Sequence, residues 1–212
     1  MKPCIIFLGP PGAGKGSQTE KLKAHLNYET VSTGDLVRAQ IKAQSPIGLK
    51  IEPFLKEGKL VPDELIIQLF KEWILDNKNA KGFILDGFPR TIEQAKVFNK
   101  DIVESLSLDV KVLSLEVSVD LLISRMLSRI ICSNCKAVYN LNSKPPKKDG
   151  ICDLCGSKLE RRHDDQPETI KIRNAEYLNL TAPLSEFYSK ALIKVNGNQS
   201  SEQVFNDILA SL

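Results

Sequence analysis

One glycine-rich segment near the start of the chain constrains its fold and chemistry more than any other. Residues 9–17 read Gly-Pro-Pro-Gly-Ala-Gly-Lys-Gly-Ser and follow the apolar run 4–8, which predicts a short buried strand. Glycines let consecutive backbone N–H groups point into one concavity, and a helix N-terminus and Lys15 add positive charge. Position, flanks and G-x-x-x-x-G-K spacing together favour a phosphate-binding P-loop over an ordinary turn, with Ser17 supplying the hydroxyl after the inserted Gly16.

Length and composition limit the class of protein. The 212 residues, 42% hydrophobic and 26% charged, suit one globular domain or a domain with a small insertion. A net charge of +3 is too small to indicate a nucleic-acid or membrane partner. No apolar stretch fits a signal peptide or a membrane-spanning helix. We therefore expect a cytoplasmic protein, in which clustered cysteines bind metal more often than they form disulfides.

Strand and helix patterns alternate along most of the chain. Strands are predicted around residues 4–8, 29–35, 82–86, 110–117 and 192–195. Interruptions at 45–46 and 58–62 bracket a short helix, which predicts a small helical insertion. The next helix carries an apolar stripe that indicates core: Leu65, Ile66, Leu69, Phe70, Trp73 and Ile74. The alternation predicts an α/β, three-layer P-loop fold with a parallel five-stranded central sheet.

Charged residues follow the predicted strands. Asp86 ends an apolar strand in a chain that has a P-loop, and this position suits a carboxylate that holds Mg²⁺ through its water shell. Arg38 lies early in a helix, where it can reach an anion, and Arg90 follows a glycine-containing bend. Arg125 and Arg129 are spaced i, i+4, so we expect both on one face of a helix. From spacing alone, a solvated basic stripe fits that pair equally well.

Four cysteines form two C-x-x-C pairs, Cys132 with Cys135 and Cys152 with Cys155, separated by sixteen residues. This spacing suits a tetrahedral zinc site of four thiolates, although it does not distinguish zinc from iron or cobalt. The intervening residues are too polar for a core of their own, so the metal would supply the folding energy. Four sulfur ligands predict a structural site, with two disulfides as the alternative. Cys4 is expected to be a buried strand residue.

Five motifs occur in unbroken order along the chain. They are residues 9–17, Ser32-Thr-Gly-Asp35, Leu85-Asp-Gly-Phe-Pro-Arg90, Arg162-His-Asp-Asp165 and Thr181-Ala-Pro-Leu184. Together they resemble the adenylate kinase family, in its long-lid, zinc-containing bacterial type. Ser17 and His163 depart from the threonine and lysine common in that family. The resemblance implies a core at 1–31, 62–128 and 166–212, an AMP-binding insertion at 32–61, and a lid with the zinc knuckles at 129–165.

The resemblance also implies a role for each matching residue. The ATP site would comprise Gly12, Ala13, Gly14, Lys15, Gly16, Ser17, Arg129, Val138, Tyr139 and Gln199. The AMP site would comprise Thr33, Arg38, Lys59, Leu60, Val61, Gly87, Phe88, Pro89, Arg90, Gln94, Arg162 and Arg173. The catalytic residues would be Lys15, Asp86, Arg90, Arg125, Arg129, Arg162 and Arg173. Asp164 and Asp165 would help the lid to close.

The implied reaction is reversible transfer of a phosphoryl group from MgATP to AMP, giving two ADP. Mg²⁺ and structural Zn²⁺ are the implied cofactors, and the family is usually monomeric. One alternative is a kinase for UMP, CMP or GMP. A regulatory GTPase would need an N-K-x-D motif, which residues 77–80 fail at the last position. A zinc ribbon that binds nucleic acid through lysines is a third possibility, with these candidates: Lys136, Lys144, Lys147 and Lys148.

Overall fold

The computed structural model describes residues 1–162 and 164–212, so His163 lies outside the described residues. The strands are β1 (Lys2–Leu8), β2 (Glu29–Ser32), β3 (Phe83–Asp86), β4 (Leu108–Glu116), β5 (Arg129–Cys132), β6 (Val138–Asn140), β7 (Leu159–Glu160) and β8 (Leu192–Asn196). The helices are α1 (Lys15–Leu26), α2 (Thr33–Lys42), α3 (Pro46–Glu57), α4 (Asp63–Asp76), α5 (Ile92–Phe98), α6 (Glu104–Leu106), α7 (Val119–Leu127), α8 (Pro167–Glu176), α9 (Leu184–Phe187) and α10 (Ser201–Ser211). Helical turns at 99–103 and 177–181 extend α5 and α8.

A parallel central sheet organises the described chain, with strand order β2-β3-β1-β4-β8. The predicted α/β fold with a parallel five-stranded sheet is therefore confirmed. Phe7 on β1 pairs with Asp86 on β3, at the carboxyl ends of both strands. Ligands of open α/β sheets bind beyond these ends. The P-loop and the carboxylate at the end of β3 are thus brought to the same edge, although 70 or so residues separate them.

Hydrophobic clusters fill both faces of the sheet. On one face, Phe70 of α4 stacks on Phe88 with ring centroids 4.0 Å apart, and both rings meet Phe98 edge-on. On the other face, Leu22 of α1 and Ile208 of α10 are completely buried. Helices on both faces shield the sheet from water, as the continuous apolar strands predict.

Capping residues determine where several helices begin and end. Ser32, Ser45 and Thr91 each accept a hydrogen bond from the backbone N–H three residues later, at the start of α2, α3 and α5. Gly58 ends α3 with a φ of 74°, a conformation in which residues with a Cβ are strained. These local signals place α2 and α3 between β2 and α4, as the sequence predicts.

The expectation that Arg125 and Arg129 share a helix face is wrong. Helix α7 ends at Leu127, and Arg129 is the first residue of β5. The Ser128 hydroxyl donates to the Ser124 carbonyl at 2.6 Å at the end of the helix. Beyond it, β5 pairs antiparallel with β6 and β7. Strand pairing therefore overrides the helical spacing of the two arginines.

A second, smaller sheet has the order β6-β5-β7, and Cys132 is the last residue of β5. Its buried cluster consists of Ile130, Cys132, Tyr139, Cys152 and Leu159. This core is small for the 30 or so residues that surround it, consistent with a need for an additional stabilising element. Within residues 1–162 and 164–212, every helix is too short or too polar to cross a membrane.

Candidate active site

The P-loop connects β1 to α1, and its glycines are required by geometry. Gly12 and Gly14 have φ values of 85° and 99°. A Cβ on Gly12 would lie 2.9 Å from both the Leu122 carbonyl oxygen and Met126 Cγ, so α7 packs too closely for any side chain there. Lys15 opens α1, and its Nζ donates to the Gly9 carbonyl at 2.7 Å. Its amine is therefore held across the mouth of the loop.

Lys15 lies in a strongly charged environment. Burial lowers its pKa from 10.5 to about 8; Asp86 opposes this effect, whereas Arg90, Arg173 and Arg129 add to it. These charged side chains come from widely separated segments of the chain, and each acts on the Lys15 amine. Basic groups concentrated in this way at a P-loop favour polyanionic ligands.

The Asp86 carboxylate faces the P-loop. A Cβ built on Gly16 would lie 3.4 Å from Asp86 Oδ2, so the carboxylate lies within van der Waals reach of the loop backbone. A hard carboxylate oxygen beside a phosphate-binding loop fits the ligand preferences of Mg²⁺. The predicted magnesium role of Asp86 is compatible with this position and stays a prediction.

Two aspartates before α8 bind three of the predicted arginines. Asp165 accepts hydrogen bonds from Arg129 Nε at 2.7 Å and Nη2 at 2.5 Å, and from Arg173 Nη1 at 3.1 Å. Arg162 binds Asp164 through two bonds of 3.0 Å, and Arg173 reaches the same carboxylate at 2.9 Å. The structure therefore joins the small sheet to α8 through a network of partly buried ion pairs.

Charge effects within this network are large. Burial alone would raise the pKa of Asp164, but the charges of Arg162, Arg173 and other arginines lower it to about 2. Burial also lowers the pKa of Arg162 to about 10, with Arg129 reinforcing the shift. Desolvation lowers the pKa of Arg173 as well. Cations that lose hydration next to one another favour an anionic ligand between them.

Arg125 and Arg90 are positioned by carbonyl groups. Arg125 donates to the Ala13 carbonyl in the P-loop at 3.3 Å and to the Gly197 carbonyl at 2.9 Å. Arg90 Nε donates to the Gly87 carbonyl at 2.9 Å. Neither guanidinium forms an ion pair with a carboxylate among the described residues. Their charge is consequently available for a ligand.

Several of the residues predicted for the acceptor nucleotide lie at the bend after β3. The Thr33 hydroxyl donates to the Gly87 carbonyl at 2.7 Å, and Gln94 is 1% exposed. Arg38 pairs with Asp35 at 2.5 Å at the edge of this group.

Residues 59–61, also predicted for the acceptor nucleotide, have mixed environments. Lys59 is exposed and pairs with Glu57, whereas the Leu60 N–H donates to Glu176 on α8 at 3.3 Å. Val61, Phe88 and Pro89 are buried nearby in the fold.

The four clustered cysteines fit a metal centre. Their sulfur atoms all lie within 4.8 Å of one another, and the Cys132–Cys155 and Cys135–Cys152 sulfur pairs are 3.4 and 3.5 Å apart. A tetrahedral zinc–thiolate site has sulfur atoms about 3.8 Å apart, whereas a disulfide requires about 2.05 Å. All five cysteines are free, and Cys4 is buried in β1 as predicted. The donor set therefore suits structural zinc better than disulfides.

Of three residues predicted to contact ATP, two have other side-chain partners in the structure and one is exposed. The Tyr139 hydroxyl lies 3.5 Å from Cys152 Sγ and accepts a 2.8 Å hydrogen bond from the Asp153 N–H. Val138 is 45% exposed on the edge of the small sheet. Gln199 donates to Asp207 on α10. Their ATP contacts stay predictions.

Two polar residues at the site were not predicted. Asp63 accepts hydrogen bonds from the Gln94 amide and the Thr91 hydroxyl, both at 2.7 Å. Asn140 Nδ2 donates to the Arg125 carbonyl at 3.1 Å and to Ser128 Oγ at 2.9 Å, joining β6 to the end of α7. In sequence, an acid at a helix start indicates only a favourable dipole interaction, and an asparagine before a turn indicates only the turn.

Comparison with known proteins gives one consistent result. A model of the family described as "Adenylate kinase" matches residues 7–193. The adenylate kinase of Carboxydothermus hydrogenoformans is 43% identical over 211 residues, which cover 98% of each chain. That of Thermosipho melanesiensis is 43% identical over 208 residues, or 97% of each chain. That of Clostridioides difficile is 41% identical over 213 residues, covering 98% of this chain and 97% of its own.

Proposed function

The chain belongs to the adenylate kinase family, and from this premise we propose that it transfers the γ-phosphoryl group of ATP directly to AMP, giving two ADP. The observation that carries the proposal is that Arg125 donates to the Ala13 carbonyl of the P-loop at 3.3 Å, while the Asp164 and Asp165 carboxylates hold Arg129, Arg162 and Arg173 together. Beyond the effect of burial, the charges of Arg90, Arg173 and Arg129 also lower the pKa of Lys15 in the P-loop. Phosphoryl transfer depends on positioning the reactants and on neutralising charge on the transferred group, and a site built from cations serves both needs.

The donor nucleotide would bind at the P-loop. The backbone N–H groups of residues 12–17 and the Lys15 ammonium would bind the phosphates of ATP. Arg129 and Gln199 complete the proposed donor site. Because the Tyr139 hydroxyl is engaged beside Cys152, we assign the contact of Val138 and Tyr139 with ATP to their main chain and ring.

The acceptor nucleotide would bind on the other side of the bend after β3. Arg38 and Arg90 would bind the AMP phosphate. Thr33, residues 59–61 and residues 87–89 would form the walls, and Gln94 would contact the base. This assignment is supported by the hydrogen bonds that gather Thr33, Arg90 and Gln94 around the same bend.

The transfer needs no protein nucleophile, because the AMP phosphate is already anionic. One of its oxygens attacks the γ-phosphorus of ATP in line, that P–O bond forms, and the bond to the β-phosphate oxygen breaks. Arg125, Arg162 and Arg173 would stabilise the negative charge on the equatorial oxygens. Mg²⁺ bound with ATP would be held on the protein side by Asp86 and would supply further charge neutralisation.

Closure over the reactants would exclude water, which otherwise would compete as acceptor. We assign this movement to residues 129–165 as a lid and to residues 32–61 as the AMP-binding insertion, with residues 1–31, 62–128 and 166–212 as the core. The ion pairs of Asp164 and Asp165 with arginines from both sides support a closed arrangement. Zn²⁺ at the four cysteines would hold the lid's fold without entering the chemistry.

A cytoplasmic monomer is part of the same proposal. The five free cysteines suit a reducing compartment, in which thiols persist. Sedimentation of the purified protein at micromolar concentration tests the monomer, which requires a mass near 23.6 kDa.

An acceptor-selection assay tests the activity. ADP formation from MgATP is measured with AMP, CMP, UMP or GMP, and we expect AMP to be the preferred acceptor. Arg90→Ala should lower turnover by about 10³-fold or more, because an arginine at this transition state contributes about 10³–10⁵ in rate. Arg161→Ala, which removes an exposed arginine next to Arg162, is the matched control and should retain activity. Preference for another monophosphate, or an active Arg90→Ala variant, would overturn the proposal.

A further inference from the structure

Gln94 is almost completely enclosed, with 1% of the residue exposed, and both ends of its amide are engaged. Nε2 donates to Asp63 Oδ1 at 2.7 Å, and Oε1 accepts from the Arg90 backbone N–H at 2.8 Å. The second Asp63 oxygen accepts from the Thr91 hydroxyl at 2.7 Å. The carboxylate is therefore held from two sides and presents a fixed acceptor to Gln94.

These partners permit one orientation of the carboxamide. A carboxylate can only accept hydrogen bonds, and a backbone N–H can only donate them. Rotating the Gln94 amide by 180° would place Oε1 against the Asp63 carboxylate and the NH₂ group against the Arg90 N–H. Both hydrogen bonds would be lost in a buried site, where unsatisfied polar groups are most costly. The positions of oxygen and nitrogen thus follow from the chemistry of the neighbours.

The backbone around Gln94 is fixed as well. The Thr91 hydroxyl oxygen accepts from the Gln94 N–H at 3.1 Å at the start of α5. The Thr181 hydroxyl donates to the Arg90 carbonyl at 2.8 Å. The Arg90 N–H and the Asp63 carboxylate, which bind the two ends of the Gln94 amide, are therefore linked to each other through Thr91. Gln94 retains one Nε2 hydrogen and one Oε1 lone pair for a ligand.

We propose that Asp63, by locking the Gln94 amide, makes the acceptor site select a 6-aminopurine monophosphate over a 6-oxopurine monophosphate. This inference rests on the proposed function, in which Gln94 contacts the base of AMP. A 6-aminopurine presents an acceptor at N1 and a donor at N6, whereas a 6-oxopurine presents N1–H as donor and O6 as acceptor. A freely rotating carboxamide pairs with either edge, but a locked one pairs with a single edge. Asp63 is thus a specificity-determining residue that acts through Gln94.

Asp63→Asn tests the lock with little change in shape. The introduced carboxamide can turn either its oxygen or its NH₂ group toward Gln94, so a rotated Gln94 amide then loses only the hydrogen bond from the Arg90 N–H instead of both bonds. AMP and IMP are compared as acceptors because they differ only at the purine 6-position and its N1 protonation. We expect kcat/KM for IMP to rise and the AMP:IMP ratio of kcat/KM to fall by about tenfold or more. A ratio that stays within about twofold of the wild-type value overturns the inference, even if overall activity declines.

Glu64→Gln is the matched control. It removes the same charge from the neighbouring, exposed residue of α4, and the AMP:IMP ratio should remain that of the wild type. The AMP:IMP ratio of the wild-type enzyme distinguishes failure of the proposed function from failure of the role of Asp63. If it does not prefer AMP, the proposed function fails; if it prefers AMP and Asp63→Asn keeps the ratio, only the role of Asp63 fails.

A measurement on the unmodified protein keeps the inference testable if Asp63→Asn does not fold. NMR hydrogen exchange of side-chain NH₂ groups is compared between Gln94 and the exposed Gln44 in the absence of nucleotide. A locked amide bonded to Asp63 should exchange about tenfold or more slowly than that of Gln44. Exchange at the same rate would show that the amide rotates freely and would overturn the inference.

Discussion

Arg129 and Asp165 form a two-bond ion pair that links the first strand of the small sheet to the residues preceding α8. Nε and Nη2 of the guanidinium donate to the two carboxylate oxygens at 2.7 and 2.5 Å. The Asp165 side chain is 3% exposed and that of Arg129 is 18% exposed. Such a bidentate pair fixes the orientation as well as the distance of its partners. It therefore ties both ends of residues 129–165 to each other and to Arg173 on α8.

Breaking this pair should destabilise the protein. Asp165→Asn leaves Arg129 and Arg173 without their shared counter-charge, and loss of one partner of a buried pair costs about 3 kcal/mol. We expect a melting temperature lower by about 6–12 °C for a chain of this size, together with reduced turnover. Differential scanning calorimetry measures the first effect. Glu116→Gln, which disrupts an exposed pair with Lys194, should cost less than about 1 kcal/mol; equal losses would contradict the role of burial.

Arg125 should matter far more for catalysis than for stability. Arg125→Ala removes hydrogen bonds to the Ala13 and Gly197 carbonyls, which water can partly replace, so we expect a loss of about 1 kcal/mol or 2–4 °C. Its charge on the transition state cannot be replaced in this way, and kcat should fall by about 10³-fold. Steady-state kinetics beside thermal unfolding separate the two effects. A variant that keeps a tenth of its turnover would remove Arg125 from the catalytic residues.

The pKa of Lys15 predicts an alkaline limit to ATP binding. Burial and neighbouring arginines lower this pKa to about 8, so the free enzyme loses the ammonium charge as the pH rises through that value. We expect kcat/KM for ATP to fall above about pH 8, because kcat/KM reports ionisations of the free enzyme. Lys15→Arg keeps its charge and should lose this alkaline limb, whatever its absolute rate. A wild-type profile that is flat to pH 9.5 would be inconsistent with a titrating Lys15.

The same pKa has a consequence for stability. Between pH 8 and 10.5 the unfolded chain holds more protons on Lys15 than the folded chain does. The free energy of unfolding contributed by this group therefore increases with pH in that window. Urea unfolding of wild type and Lys15→Met at pH 7.5 and 9.5 measures the contribution as the difference between the two proteins.

Metal removal should affect the small sheet before it affects the chemistry. Cys132→Ser deletes one of four sulfur ligands, and we expect lower zinc content and a lower melting temperature, with turnover persisting at low temperature. Cys4→Ala removes a thiol from the central sheet and should keep one metal ion per chain. Metal analysis of both variants distinguishes zinc from iron or cobalt. Equal thermal stability of the zinc-free and zinc-loaded protein would contradict a structural role.

Tyr139→Phe tests whether the contact between the Tyr139 hydroxyl and Cys152 Sγ strengthens metal binding. The hydroxyl accepts from the Asp153 N–H, so its own proton is available to Cys152 Sγ. Loss of such a contact to a metal ligand typically weakens metal binding by about 10–100-fold. We expect this loss in competition with a chelator, while KM for ATP changes by less than about twofold. A raised KM with unchanged zinc affinity would instead assign the hydroxyl to ATP.

Several features of this protein can be predicted from short stretches of its sequence. The P-loop depends on glycines with positive φ values, a conformation that residues with a Cβ rarely adopt. The parallel sheet depends on apolar strands that alternate with capped helices. The cysteine spacing likewise predicted a cluster, and the folded chain brings the four sulfur atoms within 4.8 Å of one another. Such features are predictable because backbone sterics, hydrophobic periodicity and short-range spacing act within a few residues.

Long-range pairing was decided only by the tertiary structure. The i, i+4 spacing of Arg125 and Arg129 predicted a shared helix face, but Arg129 instead lies on β5, which pairs with β6. Its guanidinium binds Asp165, which is 36 residues away in the chain. Asp63 and Gln94 are likewise 31 residues apart, and nothing local to either indicates the contact. Side chains of this kind meet only after the sheet and its helices have packed. The orientation of the Gln94 amide, and with it the proposed choice of base, is therefore set by packing rather than by any motif.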